Sequence, residues 1–208
     1  MSGLQAAAEV GGLDTGQIGT RSKAVFAGYT FALIDTGRGS VTVSLVGSKR
    51  CFAVHIAQDW LQIADGMTAE LSQVVEVAAH WKGGASYDSL SARYPFMRVT
   101  ELARVLASPD PIAAQWDWLR SAPEFCDDRD LVDAAHRDPV LRSYFPDLSH
   151  RSLQLSRSFT DREGAVRISL QDGGYRVQQS GESSQGREYA SLEAAVAAAS
   201  ALLGSPSA

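Results

Sequence analysis

The stretch VRISLQDGGYRVQQ, residues 166–179, decides the fold. Val166, Ile168 and Leu170 alternate with polar neighbours, Asp172-Gly173-Gly174 interrupts, and Tyr175 and Val177 resume the alternation. A period of two on both sides of residues that reach positive φ cheaply predicts an antiparallel hairpin with one buried face. Leu153 and Leu155 carry the same period upstream and predict a further strand. Downstream the period lengthens: Leu192, Val196, Ala199 and Leu203 recur at helical spacing, after Ser191 as a cap and before Gly204 as a stop. This end of the chain reads as an antiparallel sheet closed by one helix.

A second block of period two lies near the N-terminus. Val25, Ala27, Tyr29, Phe31 and Leu33 share one face of a strand; Val41, Val43 and Leu45, then Phe52, Val54 and Ile56, repeat the pattern. Gly37–Gly39 and Gly47–Ser48 supply the turns, so the block predicts an antiparallel meander. Between the two blocks the spacing is helical. Leu71, Val74, Val75, Ala78 and Trp81 form a stripe between Thr68 and Gly83–Gly84, and a further helix starts at Thr100. Asp110–Pro111 opens a helix carrying Ile112, Trp116 and Leu119; Asp127 or Asp128 caps another; Asp138–Pro139 repeats the cap-plus-proline start.

The predicted class is α+β: an antiparallel β-meander near the N-terminus, a central helical segment over about 67–145, and a C-terminal antiparallel sheet closed by one helix. Residues 1–22 show no sustained period and read as a mobile tail, followed by 23–146 (meander plus helices), 147–204 (the C-terminal unit) and a tail at 205–208. Whether 147–204 is compact with what precedes it, and whether the two sheets join, stays open.

The chain has 208 residues, 45% of them hydrophobic, which supplies a core without a disulfide or metal staple. Its net charge of −5 argues against nucleic acid or an anionic membrane as partner. No run approaches the roughly 18 apolar residues of a spanning helix, and the N-terminus lacks the features of a secretory signal, so a cytoplasmic location is expected. The charge is uneven. Residues 109–150 hold nine Asp or Glu against four Arg, which accounts for the whole net charge. Helix caps and first turns absorb carboxylates; an acidic face for a basic partner is the other reading.

Chemistry-bearing residues are few. His55, His80, His136 and His150 show no metal-ligand spacing, Cys51 and Cys126 have no activating neighbour in sequence, and GxGxxG, GxxxxGK[ST] and GxSxG are absent, so no metal or cofactor is expected. Ser149–His150 follows Phe145-Pro146-Asp147-Leu148, at the corner where the helical segment hands the chain to the C-terminal sheet. His150 is there a candidate proton carrier, with Ser149 beside it, or a structural corner residue. Arg157, toward the far end of the strand that follows, is a candidate anion anchor. Trp81 and Trp116 fall on helix stripes and read as core; Trp118 lies off the Trp116 face and is a candidate ligand contact.

Gly66-Met-Thr68-x-x-Leu71, Trp81-x-Gly83, Tyr94-Pro95-Phe96, Trp116-x-x-Leu119, Pro139-x-Leu141-Arg142, Phe145-Pro146-x-x-Ser149-His150 and Ser156-Arg157 together form a spaced pattern within a likeness that runs from about 36 to 203. This pattern resembles an actinobacterial domain family of unknown function commonly labelled a natural product biosynthesis protein. The family has glycine after the histidine where Arg151 stands here, and Ser158–Ala165 departs from its aromatic-rich pattern. The resemblance implies a setting in specialised metabolism and no mechanism. Two function classes follow. One is a small cytoplasmic protein acting on or binding a biosynthetic intermediate, a small molecule or peptide, by metal-free acid–base chemistry if catalytic. The other is a non-catalytic module, an adaptor for a carrier or precursor peptide or an immunity-type protein, holding a basic partner at residues 109–150.

Overall fold

A computed structural model describes residues 2–22, 30–47, 50–181 and 186–204. The chain is α+β and divides into two compact units, Met1–Ala107 and Ser108–Ala208. Each has its own antiparallel sheet, strictly in sequence order.

The first unit opens with helix α1 (Ser2–Gly11), whose Leu4 and Ala8 are buried, and strand β1 (Gln17–Ser22). Within the segment read as a mobile tail, residues 2–11 form a helix and 17–22 a strand; the apolar face of α1 is too short to show a sustained period. Strands β2 (Thr30–Asp35), β3 (Ser40–Leu45), β4 (Phe52–Gln58), β5 (Leu61–Thr68) and β6 (Met97–Val99) complete the meander. The expected strand segment Val25–Tyr29 lies outside the described residues. Strand β5 extends the sheet into the stretch read as the beginning of the helical segment. A register shift at Ile56/Ala57 and the consecutive buried pair Ile63–Ala64 break its alternation. Gly66 lets β6 approach: a Cβ there would sit 2.4 Å from the Phe96 carbonyl oxygen.

Helices α2 (Leu71–Lys82), α3 (Tyr87–Arg93) and α4 (Glu101–Leu106) follow. Helix α2 starts two residues later than the Thr68 cap predicts: Glu70 occupies the N-cap position, and the Thr68 hydroxyl accepts from the Glu70 amide. Helix α4 starts by Thr100 as expected, and the Thr100 hydroxyl proves to be its cap, accepting from the Ala103 amide. The core is formed by Ile34, Val41, Val54 and Ile56 from the sheet against Val74, Ala78 and Trp81 of α2, all fully buried. Each such Val or Ile contributes about 1.5–3 kcal/mol of burial.

The second unit begins with α5 (Pro111–Ser121), a 3-10 turn (Pro123–Asp128), α6 (Arg129–Arg137) and a second 3-10 turn (Leu141–Ser143). Five strands follow: β7 (Phe145–Ser149), β8 (Ser152–Ser156), β9 (Val166–Gln171), β10 (Gly174–Gln179) and β11 (Arg187–Tyr189), closed by α7 (Leu192–Gly204). These helices and the sheet lie in one compact unit that begins at Ser108. Trp116, Leu119, Val132 and Ala135 of the helices share one core with Leu153, Leu155, Ile168 and Ala199, and that shared core sets the boundary. Asp110 caps α5 through the Ala113 amide. Asp138 accepts from the Val140 and Leu141 amides and from the Ser200 hydroxyl, which ties the second 3-10 turn to α7. The Trp116 indole N–H lies 3.1 Å from both the Arg142 and Tyr144 carbonyl oxygens and fixes the chain just before β7. The expected tail at 205–208 lies outside the described residues.

Candidate functional site

Strand alternation divides the second sheet into two faces. Leu153, Leu155, Val166 and Ile168 enter the core, so their neighbours Gln154, Ser156, Arg167 and Ser169 line the opposite face. Register then builds the site. Asp147 of β7 pairs across to Gln154 of β8, which pairs across to Arg167 of β9. Ser149 and Ser152 close the β7–β8 hairpin, leaving His150 and Arg151 as its two-residue turn.

His150 is thus not a corner between the helices and the sheet, as the sequence reading placed it. It occupies the exposed tip of a hairpin within the sheet, because Phe145–Ser149 is itself a strand. Both turn residues have positive φ, 49° at His150 and 58° at Arg151, the signature of a type I′ turn. The Ser149 hydroxyl lies 2.8 Å from His150 Nδ1, and Nε2 takes no hydrogen bond from the described residues. At the tip, Arg151 reaches Asp128 at 3.5 Å.

The 157–165 loop brings a second cation to this place. Phe159 packs edge-to-face on Phe145 at 5.7 Å, and the Asp161 amide donates to the Ser158 hydroxyl. These contacts hold Arg162 so that Nη2 donates to Asp147 at 3.0 Å while Nε donates to the Phe159 carbonyl. On β9, Arg167 Nη2 donates to Gln154 Oε1 at 2.8 Å. His150, Arg162, Arg167 and Gln154, with Asp147, Ser149 and Ser152, line one concavity. Every lining side chain is polar. Two guanidinium groups face one carboxylate there, so the concavity is cationic inside an acidic unit.

Arg157 and Trp118 do not join it. Arg157 is exposed just past the opposite end of β8, roughly 15 Å of strand away from the turn. Trp118 is half-buried on α5, edge-to-face with Phe125 at 5.2 Å, and serves packing. Arg162 and Arg167 were missed. Arg167 sits between Val166 and Ile168 and so was legible as an outward residue, but its coincidence with Gln154 and Asp147 depends on strand register.

The acidic segment is largely consumed inside the unit. Asp133 pairs with Arg120 at 2.8 Å, Asp128 with Arg151 and Asp147 with Arg162, while Asp110 and Asp138 cap backbone amides. Asp117, Glu124, Asp127 and Asp130 remain as exposed carboxylates.

A separate polar cluster lies in the first unit. His80 Nε2 is 3.2 Å from the Ser89 hydroxyl, and His80 stands edge-on to Tyr94 at 5.7 Å. Burial, and then the nearby Arg93 charge, hold the His80 imidazole below its ordinary titration range; burial pushes the Tyr94 phenol up. His80 Nδ1 and the Tyr94 hydroxyl are buried without a protein partner.

Residues 110–205 match a family model. Its description is a family of unknown function, DUF6193, and the matched span coincides with the second unit. No curated protein and no solved structure matches the chain. The matched segment contains the whole His150 concavity together with Arg157 and Trp118, and none of the His80 cluster. Among the described residues no group of three or more His, Cys, Asp or Glu is placed to hold a metal ion, and no helix is long and apolar enough to cross a membrane.

Proposed function

We propose that the second unit is a binding module of bacterial specialised metabolism, acting in the cytoplasm, which holds a biosynthetic intermediate or the carrier that bears it. The setting comes from the resemblance drawn above. The choice of binding over acid–base chemistry rests on one observation: His150 stands on an exposed hairpin tip, and every side chain lining the concavity it borders is polar. A proton-transfer site gains its power from excluding water and fixing the reacting atom. A polar cradle with its histidine at an exposed tip offers hydrogen-bond donors that orient a ligand without isolating it. The Ser149–His150 contact supports the same reading, since it holds the ring's Nδ1 edge and leaves Nε2 for a ligand atom.

The alternative, a basic partner on the acidic helices, is narrowed to Asp117, Glu124, Asp127 and Asp130, because most of the other carboxylates are engaged within the unit.

The test is calorimetry and mass spectrometry on the full chain, using intermediates of the pathway encoded beside its gene. The proposal expects stoichiometric binding and recovery of the ligand at unchanged mass. Conversion of the ligand by the wild type, lost on His150→Gln at unchanged thermal midpoint, would overturn it and restore His150 as a proton carrier.

A further inference from the structure

We infer that the concavity beside the β7–β8 turn is a site for a phosphate group carried as a monoester, an inference that rests on the binding reading above. The donor set is the first argument. Arg167 has five N–H donors and gives one hydrogen bond, to Gln154; Arg162 adds a second guanidinium from a different element. Gln154 is only 8% exposed, and because Arg167 engages its Oε1, its amide nitrogen is the end left for a ligand. With the Ser149 hydroxyl donating to His150 Nδ1, His150 Nε2–H adds a further donor at the turn, while the Ser152 hydroxyl is spent on the Ser169 hydroxyl.

Charge is the second argument. The only carboxylate lining the concavity, Asp147, is already paired with Arg162, which leaves the Arg167 charge uncompensated by any ion pair among the described residues. The unit as a whole is acidic, so an uncompensated cationic concavity stands against its background. Planar forks from separate elements suit an anion that can accept from several directions. A phosphate monoester has three terminal oxygens to do so, whereas a carboxylate has two in one plane. No apolar side chain lines the concavity, which separates this site from a pocket for an apolar small molecule.

The test uses the full chain and three probes at low ionic strength: phenyl phosphate, inorganic phosphate and benzoate. Calorimetric titration is expected to give one site for phenyl phosphate, with affinity at least tenfold above benzoate. Inorganic phosphate is expected to compete for that site. Arg167→Gln and Arg162→Gln should each weaken phenyl phosphate about tenfold, the effect of losing a charged donor pair. Arg157→Gln, which changes an exposed cation outside the concavity, should leave affinity within twofold. His150→Asn keeps the left-handed turn, since asparagine tolerates it, and should weaken binding without unfolding the hairpin. Equal affinity for benzoate and phenyl phosphate, or Arg157→Gln weakening binding as much as Arg167→Gln, would overturn the phosphate assignment. A pathway intermediate that binds stoichiometrically while both phosphate probes fail would remove the ligand class and leave the binding reading standing; ligand turnover would remove both.

Discussion

Arg151 is the residue whose replacement tests the hairpin that carries His150. Its φ of 58° places a side chain with a Cβ in the left-handed region, which costs an L-residue roughly 1–2 kcal/mol. Glycine removes that cost, and its wider freedom in the unfolded chain takes back roughly 0.5–1 kcal/mol. Arg151 also contributes an ion pair to Asp128 at 3.5 Å, with the arginine side chain 59% exposed. Such a pair is worth roughly 0–1 kcal/mol. Comparing Arg151→Gly with Arg151→Ala cancels the ion pair, because both variants lack the guanidinium. The glycine variant is then expected to be about 0.5–1 kcal/mol the more stable, a difference of several degrees in the midpoint of a unit this size. Urea unfolding followed by the amide signals of the buried Leu153 and Leu155 isolates the second unit. If Arg151→Gly is no more stable than Arg151→Ala, the turn is not left-handed, and the placement of His150 at its tip fails.

Other outcomes follow from the packing and the half-buried imidazoles. Gly66→Ala brings a Cβ to 2.4 Å from a backbone carbonyl of Phe96, which cannot rotate away, so β6 separates from β5. Thermal unfolding should show a loss of about 1–3 kcal/mol, the scale of overpacking, confined to the first unit; an unchanged midpoint would place β6 elsewhere. Burial lowers the titration of His80 and, together with Arg120 and Arg142, that of His136. The unfolded chain therefore binds more protons than the folded one as pH falls through the imidazole's ordinary value near 6.5. Stability should be full above that value, decline as pH falls toward the lower folded value, and level off below it. His80→Gln combined with His136→Gln should flatten that part of the profile, and an unaltered decline would assign it to carboxylates.

Local chemistry was the legible part of this sequence. The hairpin at 166–179 and the helix starts at Thr100, Asp110 and Ser191 depend on neighbours a few residues apart, and they stand where the periods and cap residues put them. The elements that escaped are short or irregular. Strand β7 contains Pro146, β6 spans three residues, and β5 breaks its alternation at Ile63–Ala64, so none presents a clean period of two. Whether the helices join the C-terminal sheet stayed open for a tertiary reason: Trp116 and Val132 look like any apolar stripe until the sheet they pack on is known. The same limit governs the site. Ser149 and His150 could be singled out from one short segment, whereas Arg167 meets Gln154 only through the β8–β9 register and Arg162 meets Asp147 only through a folded loop. Arg157 was chosen because it follows the same strand, and strand length carries it away.

Amide chemical shifts of the full chain, titrated with phenyl phosphate, test the central claim most directly. The account predicts saturable changes confined to Asp147–Gln154, Arg162 and Arg167, with the first unit silent. Changes spread over exposed arginines such as Arg157 and Arg176 without saturation, or centred on His80 and Ser89, would contradict it.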